Sequence, residues 1–188
     1  GKVLKEGIGE DFGNQERISK LLRFSSTNSE SGDQTVSLAQ YVSRQKEGQD
    51  KIFYVTAESF NSAASSPHLE IFKDKGIEVL LLHDRVDEWV VSNLTEFDGN
   101  KLTSVSKGEL DLGDIAEEEK KARDKEANDY QVLVDKITEE LKGKVKDVRV
   151  TFRLTDSPAC LVSEENGMSI NLERMLKAAG QNVPSTQP

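Results

Sequence analysis

Two histidines, His68 and His83, and one cysteine, Cys160, are the side chains of this sequence best suited to acid–base, nucleophilic or metal chemistry. His83 closes the apolar run Ile77-Glu78-Val79-Leu80-Leu81-Leu82 and is followed by Asp84. A strand-end imidazole with a carboxylate beside it could serve as a catalytic dyad in a parallel-sheet enzyme. The remaining roles are not supplied, because no Ser or Cys stands in a G-x-S-x-G elbow. A metal site needs three or four convergent ligands, and no spacing of His, Cys, Asp and Glu provides them. Cys160 lies in Ala159-Cys160-Leu161-Val162, the setting of a buried, inert thiol. The stretch Gly7-Ile8-Gly9-Glu10-Asp11-Phe12-Gly13 superficially resembles a phosphate loop, but no strand precedes it and two acids would repel the phosphates. Structural roles for both histidines are therefore the reading, with a small α/β hydrolase or transferase using His83 and Asp84 as the alternative.

Two further features could act by contact instead of by reaction. Met168, Leu172, Met175, Leu176 and Ala179 form one stripe on a helix-periodic segment. Such a stripe is ordinarily core; methionines at the edge of a small domain can also make a pliable surface for varied apolar partners. Trp89, the one tryptophan, follows Asp87-Glu88 at a helix start, where a partly buried helix residue is the plain reading.

These residues must be carried by recognisable elements. Asn14 is a good N-cap for a helix over Gln15 to Phe24, with Ile18, Leu21 and Leu22 on one face. Ser25 to Asp33 is a polar loop. Ser37 and Gln40 form a capping box for a helix carrying Leu38, Tyr41 and Val42 and stopping at Gly48. Ile52 to Thr56 reads as a buried strand. Ser66-Pro67 opens a helix that Gly76 ends, and Ile77 to Leu82 reads as a second strand. Strand, helix, strand at this spacing is a βαβ unit with parallel strands and a right-handed crossover. Asp87 caps a helix through Trp89, Val90 and Leu94, and Lys101 to Val105 supplies another strand.

Beyond about Leu112 the pattern changes. Asp114 to Glu126 is a charged stretch that reads as a solvated helix or linker. The helix acquires a packing face at Tyr130, Leu133, Val134, Ile137 and Leu141 and closes at Gly143. Val145 to Phe152 alternates like a half-buried strand, Ala159 to Val162 is its strand partner, and Ser169 opens a last helix to Ala179 with Gly180 at its end. The fold class is thus α/β followed by α+β: a small parallel-sheet αβα layer preceded by helices, then a long helix, a strand pair and an amphipathic helix.

The 188 residues are 35% hydrophobic and 31% charged, which suits one or two compact units. Lys plus Arg number 25 against 34 Asp plus Glu, a net charge of -9 that argues against a general binder of nucleic acid or anionic membranes. One cysteine excludes an internal disulfide and fits a reducing compartment. No apolar run approaches the roughly 20 residues needed to span a bilayer, and no signal-peptide pattern opens the chain.

Beyond pattern, specific text carries a resemblance. Glu10-Asp11 through Asn14, Arg17-Ile18-Ser19, Leu21-Leu22-Arg23-Phe24, Tyr41-Val42-Ser43-Arg44 and Ile52-Phe53-Tyr54-Val55-Thr56 resemble, in order, the heat shock protein 90 chaperones. So do Ser65-Ser66-Pro67-His68-Leu69-Glu70, Lys75-Gly76-Ile77-Glu78-Val79, Asp87-Glu88-Trp89 and Glu96-Phe97-Asp98-Gly99. Arg153-Leu154-Thr155-Asp156-Ser157-Pro158-Ala159 and Ala178-Ala179-Gly180-Gln181 continue the match, the last in the manner of the bacterial branch. Residues 113–129 match least.

The resemblance implies an internal fragment: 1–111 the later part of the chaperone middle domain, 112–188 the first part of the C-terminal domain without its dimerisation helices. ATP and Mg2+ would bind in domains outside it, so the fragment itself would hold no cofactor and have no enzymatic activity. Its partners would be unfolded or partly folded client proteins, with co-chaperones such as the DnaK system as candidates; the full-length protein would be a cytoplasmic homodimer. By resemblance, Glu88 and Trp89 match a client-contacting Glu-Trp pair, beside which Ser92 stands where the family has Asn. Met168, Leu172, Met175 and Leu176 correspond to an amphipathic client-facing helix, and Ala159 and Cys160 to positions where eukaryotic relatives carry two cysteines. A purely structural inter-domain linker is the remaining reading, and it turns on whether the Met168 helix is exposed.

Overall fold

A computed structural model of the chain describes residues 2–112, 121–122, 124–125, 127, 129–165 and 167–180. The chain divides into two compact units, Gly1–Val105 and Ser106–Pro188.

The first unit opens with a helix, α1 (Lys2–Glu10), followed by a 3-10 turn at Phe12–Asn14 and α2 (Gln15–Leu21). Gly7 and Gly9 lower helix propensity by roughly 1 kcal/mol each, which is why the sequence alone did not call for α1. Asn14 precedes α2 without its side chain capping a backbone N–H of the first turn, and the helix ends three residues before the expected Phe24. Leu22 turns extended, and Phe24 exchanges backbone hydrogen bonds of 2.9 and 3.0 Å with Val36. The capping box is present: Ser37 Oγ accepts from the Gln40 N–H at 3.1 Å, and Gln40 Oε1 accepts from the Ser37 N–H at 2.9 Å. The helix it starts, α3 (Leu38–Ser43), ends before Gly48.

The sheet contains β1 (Ser25–Ser26), β2 (Lys51–Thr56), β3 (Leu80–Leu82), β4 (Glu96–Phe97) and β5 (Asn100–Ser104), in the order β1-β3-β2-β5-β4. β2 pairs in parallel with β3 (Tyr54 opposite Leu80) and with β5 (Ile52 opposite Leu102), as the strand-helix-strand pattern requires. The two short edges, β1 and β4, pair antiparallel, so the sheet is mixed. The crossover from β2 to β3 holds α4 (Phe60–Ala64), a 3-10 turn at Pro67–Leu69 and α5 (Glu70–Asp74), where one helix from Ser66 had been expected. Gly76, at φ +61°, ends α5 in the left-handed region that a Cβ disfavours. β4 and β5 are joined through Asp98 (φ 50°) and Gly99 (φ 76°), both left-handed, as a tight two-residue hairpin demands. Between β3 and β4 lies α6 (Asp87–Asn93). Its N-cap is Val86; Asp87, expected to be the cap, is instead the first helical residue and its side chain turns into the interior.

β2 is buried on both faces. Ile52 and Tyr54 join a core with Ile8, Leu22, Phe24, Leu38, Tyr41, Leu80, Leu82, Val90, Leu94 and Phe97. On the opposite face, Phe53 meets Phe72 of α5 edge-to-face at 4.8 Å, an arrangement worth about 1 kcal/mol beyond its buried area.

The second unit contains α7 (Gln131–Glu140) and α8 (Ile170–Ala178). The charged stretch 114–126 lies largely outside the described residues; those described from 121 to 125 are helical and exposed. The packing face expected at Tyr130, Leu133 and Ile137 is not covered, these residues being 49%, 52% and 37% exposed. Instead, with Val134 and Leu141, it lines an open groove of about 1120 Å³. The strand pair expected at Val145–Phe152 and Ala159–Val162 is not formed: among the described residues no strand follows β5. Alternation gives these segments a face, but a strand needs a laddered neighbour, and here pairing stops at isolated bridges such as Lys107 to Ser163. Ser169 caps α8 by accepting the Leu172 N–H at 3.0 Å.

Candidate functional site

The surface around Trp89 is built by α1 and α6, which pack together. Their alignment begins with a buried charge cluster. Lys5 Nζ lies 2.6 Å from Asp87 Oδ1 and 3.2 Å from Asp84 Oδ2, donates to Gln34 Oε1 at 3.0 Å, and sits 4.9 Å above the Phe24 ring. Asp84 Oδ2 also accepts from Gln34 Nε2 at 2.7 Å, and the Asp84 N–H donates to Asp87 Oδ2 at 3.0 Å. Lys5 is 2% and Asp87 1% exposed. Burial pushes the Asp87 carboxyl above its ordinary range, outweighing the opposing pull of the Lys5 ammonium. At the other end, Gln15 Nε2 donates to Asn93 O at 2.8 Å and Ile8 O at 3.3 Å, tying both helix C-termini to one side chain.

Between these ties lies Trp89, 48% exposed. Its Nε1–H donates to Glu6 O at 3.3 Å, which occupies the indole's one hydrogen-bond donor. The ring rests on the backbone of Gly9. Glu88, the other half of the sequence pair, is 6% exposed and faces inward. Its charge adds to burial in pushing the Tyr54 hydroxyl up to about 12. Ser92 Oγ donates to Glu88 O at 2.7 Å, within its own helix. Of the Glu88-Trp89 pair, the indole alone is exposed.

In the second unit, Met168, Leu172, Met175 and Leu176 are all half-buried, and α8 has no fully buried residue. None of the four lines the apolar groove of α7.

His83 does have a hydroxyl beside it: Ser25 Oγ lies 3.1 Å from His83 Nε2. That serine is fully buried, and its Oγ also lies 3.0 Å from Gly32 O and 3.3 Å from Asp33 O, so the hydroxyl ties down the 27–33 loop. Asp84, the carboxylate that would orient the imidazole, is bonded to Lys5 and Gln34. Neither described cavity touches Ser25 or His83. A nucleophile that substrate cannot reach does not complete a hydrolase. His68 is buried at the start of the crossover turn. Among the described residues no group of three His, Cys, Asp or Glu side chains could hold a metal ion, and no helix is long and apolar enough to cross a membrane. Sequence reasoning missed Lys5 and Gly9. The only available signal was their i, i+4 spacing with Ile8 between, masked by three glycines in seven residues.

Comparison with known proteins bears on the same stretch. The family model described as Hsp90 protein matches residues 1–187. The chain is 61% identical over 189 residues to the Chaperone protein HtpG of Aromatoleum aromaticum, covering all of this chain and 29% of that protein. It is equally similar, at 61% over 188 residues, to the Chaperone protein HtpG of Paraburkholderia xenovorans, again over all of this chain and 30% of the relative. The chain therefore spans about 30% of the length of the curated relatives it matches. Among solved structures, the middle domain of a Plasmodium falciparum heat shock protein is 38% identical with a TM-score of 0.53, over 57% of this chain and 44% of that one. With near-complete coverage by the family model and 61% identity over the whole of this chain to bacterial relatives, this chain belongs to the Hsp90 family of chaperone proteins.

Proposed function

We propose that the chain is the client-binding and arm-forming segment of an ATP-driven, dimeric, cytoplasmic chaperone. Residues 1–111 serve as the later, small αβα part of the middle domain and 112–188 as the first part of the C-terminal domain. ATP and Mg2+ act in other parts of the full-length protein, and this segment transmits the resulting movement between domains without hydrolysing nucleotide itself. Clients are non-native proteins whose exposed apolar side chains meet Trp89 in the first unit and the Met168, Leu172, Met175, Leu176 stripe in the second. Co-chaperones such as the DnaK system act on the same clients.

The observation that carries this reading is Trp89: the single tryptophan of the chain stands half-exposed on a rigidly tied helix pair. A half-exposed indole offers a large, rigid apolar face that the apolar side chains of a partner can cover. A surrounding net charge of -9 keeps such a surface from self-association. The test is a titration of the chain with reduced, carboxymethylated α-lactalbumin, a permanently unfolded client, for wild type, Trp89→Ala and Met175→Ala. Circular dichroism checks that each variant folds. Each substitution is expected to weaken binding several-fold; undiminished affinity in both removes these surfaces from client binding.

A further inference from the structure

Gly9 has no side chain, yet it determines where the Trp89 indole can lie. A Cβ built on Gly9 would stand 2.6 Å from Trp89 Nε1 and 2.7 Å from Cε2 and Cζ2. Those distances are too short for any real contact, so the ring can rest there only because the backbone is bare. The same face of α1 carries Lys5 and Ile8, at i and i+3 with Gly9 at i+4. Lys5 pairs with Asp87 at the start of α6, Ile8 enters the core with Val90, and Gly9 receives the ring of Trp89. The helices thus meet in a register where the ion pair fixes position along the axis and the glycine lets the indole approach the backbone closely.

We infer that Gly9 is the positioning residue of the Trp89 surface: its bare backbone seats the indole against α1 with its N–H turned inward, so that an apolar ring is presented to partners. The inference rests on the client-binding reading. It adds a specificity: with Nε1–H bonded to Glu6 O, the site selects aliphatic and aromatic side chains over hydrogen-bond acceptors.

The experiment uses the full 188-residue chain with Gly9→Ala, and with Gly7→Ala as its control. A Cβ at Gly7 would meet Ile18 Cδ1 at 3.7 Å, an ordinary contact, so that variant tests the added alanine in the same helix without touching the indole. Trp89 is the only tryptophan, so emission reads its position directly. Gly9→Ala is expected to shift the emission maximum to the red, to raise acrylamide quenching at least about 1.5-fold, and to weaken binding of carboxymethylated α-lactalbumin several-fold. Gly7→Ala should leave all three unchanged. On a Trp89→Ala background, Gly9→Ala should add no further loss of affinity, because its effect passes through the indole. Wild-type emission and quenching in Gly9→Ala, equal changes in Gly7→Ala, or an additive loss on the Trp89→Ala background would each overturn the inference. If Trp89→Ala alone leaves affinity intact, the Trp89 surface takes no part in client binding, while the emission of Gly9→Ala still decides the positioning role.

Discussion

Lys5→Met removes one ammonium and keeps most of the side-chain volume, so it isolates what the buried cation contributes to the first unit. Lys5 Nζ stands 2.6 Å from Asp87 Oδ1, with both side chains 2% exposed. At an effective dielectric near 20, that separation corresponds to a gross attraction of about 6 kcal/mol. Part of it offsets the desolvation of the two ions, and breaking such a pair from one side typically costs about 3–5 kcal/mol. Asp84 adds little, because its side chain keeps 18% of its exposure and water can replace the cation there. The expected loss is therefore about 3–4 kcal/mol at neutral pH, a large fraction of the ~5–15 kcal/mol that stabilises a domain.

The loss should depend on pH in a definite direction. Asp87 already titrates above its ordinary value of 3.8, since burial outweighs Lys5, and removing Lys5 raises it further. A carboxyl whose folded pKa is raised binds a proton more readily in the native state. Its charged form is therefore a burden above the folded pKa, and the burden fades as pH falls toward 3.8. The gap between variant and wild type should narrow from pH 7.5 to pH 5.0. Urea unfolding followed by Trp89 emission measures it, because Trp89 lies in the same unit as the pair. A loss below about 1 kcal/mol at pH 7.5, or one identical at both pH values, would refute the reading that Lys5→Met leaves the Asp87 charge buried and uncompensated.

Two more outcomes follow from the same unit. The Tyr41 hydroxyl donates to Glu78 O at 2.7 Å and accepts from the Phe53 N–H at 3.0 Å and Gln49 Nε2 at 3.1 Å, so Tyr41→Phe should cost about 2–4 kcal/mol in urea unfolding and speed hydrogen exchange at Phe53. A cost under about 0.5 kcal/mol would show the hydroxyl network to be dispensable. Burial, first, raises both the Tyr54 hydroxyl, to about 12, and that of Tyr41 from the ordinary 10.0. Raised folded values mean stability is retained below pH 10 and lost as pH climbs toward 12, so absorbance at 295 nm should show these two phenols ionising together with unfolding. Their ionisation at pH 10 with intact circular dichroism would contradict the burial.

What the chain's text determined by itself was local. β2 and β3 are short runs rich in apolar side chains, spaced for parallel pairing, and the Ser37–Gln40 box states where α3 begins. These signals need no distant partner, and the family text from Glu10 to Gln181 was equally legible. Tertiary structure decided the rest. In α1 the polar Lys5 is buried while Val3 stays 81% and Leu4 40% exposed, the reverse of what hydropathy predicts. Lys5 can be inside because Asp87, 82 residues away, meets it there, and periodicity along one helix carries no knowledge of that partner. The same holds for Gly9, whose value lies in an indole 80 positions on, and for Ser25 beside His83. It holds in reverse for residues 145–152 and 159–162, whose patterns promised a strand pair but found no neighbouring ladder. A strand pattern states a face and a helix pattern a stripe; burial, charge pairing and close approach are properties of two segments together, and only the folded chain brings both to one place.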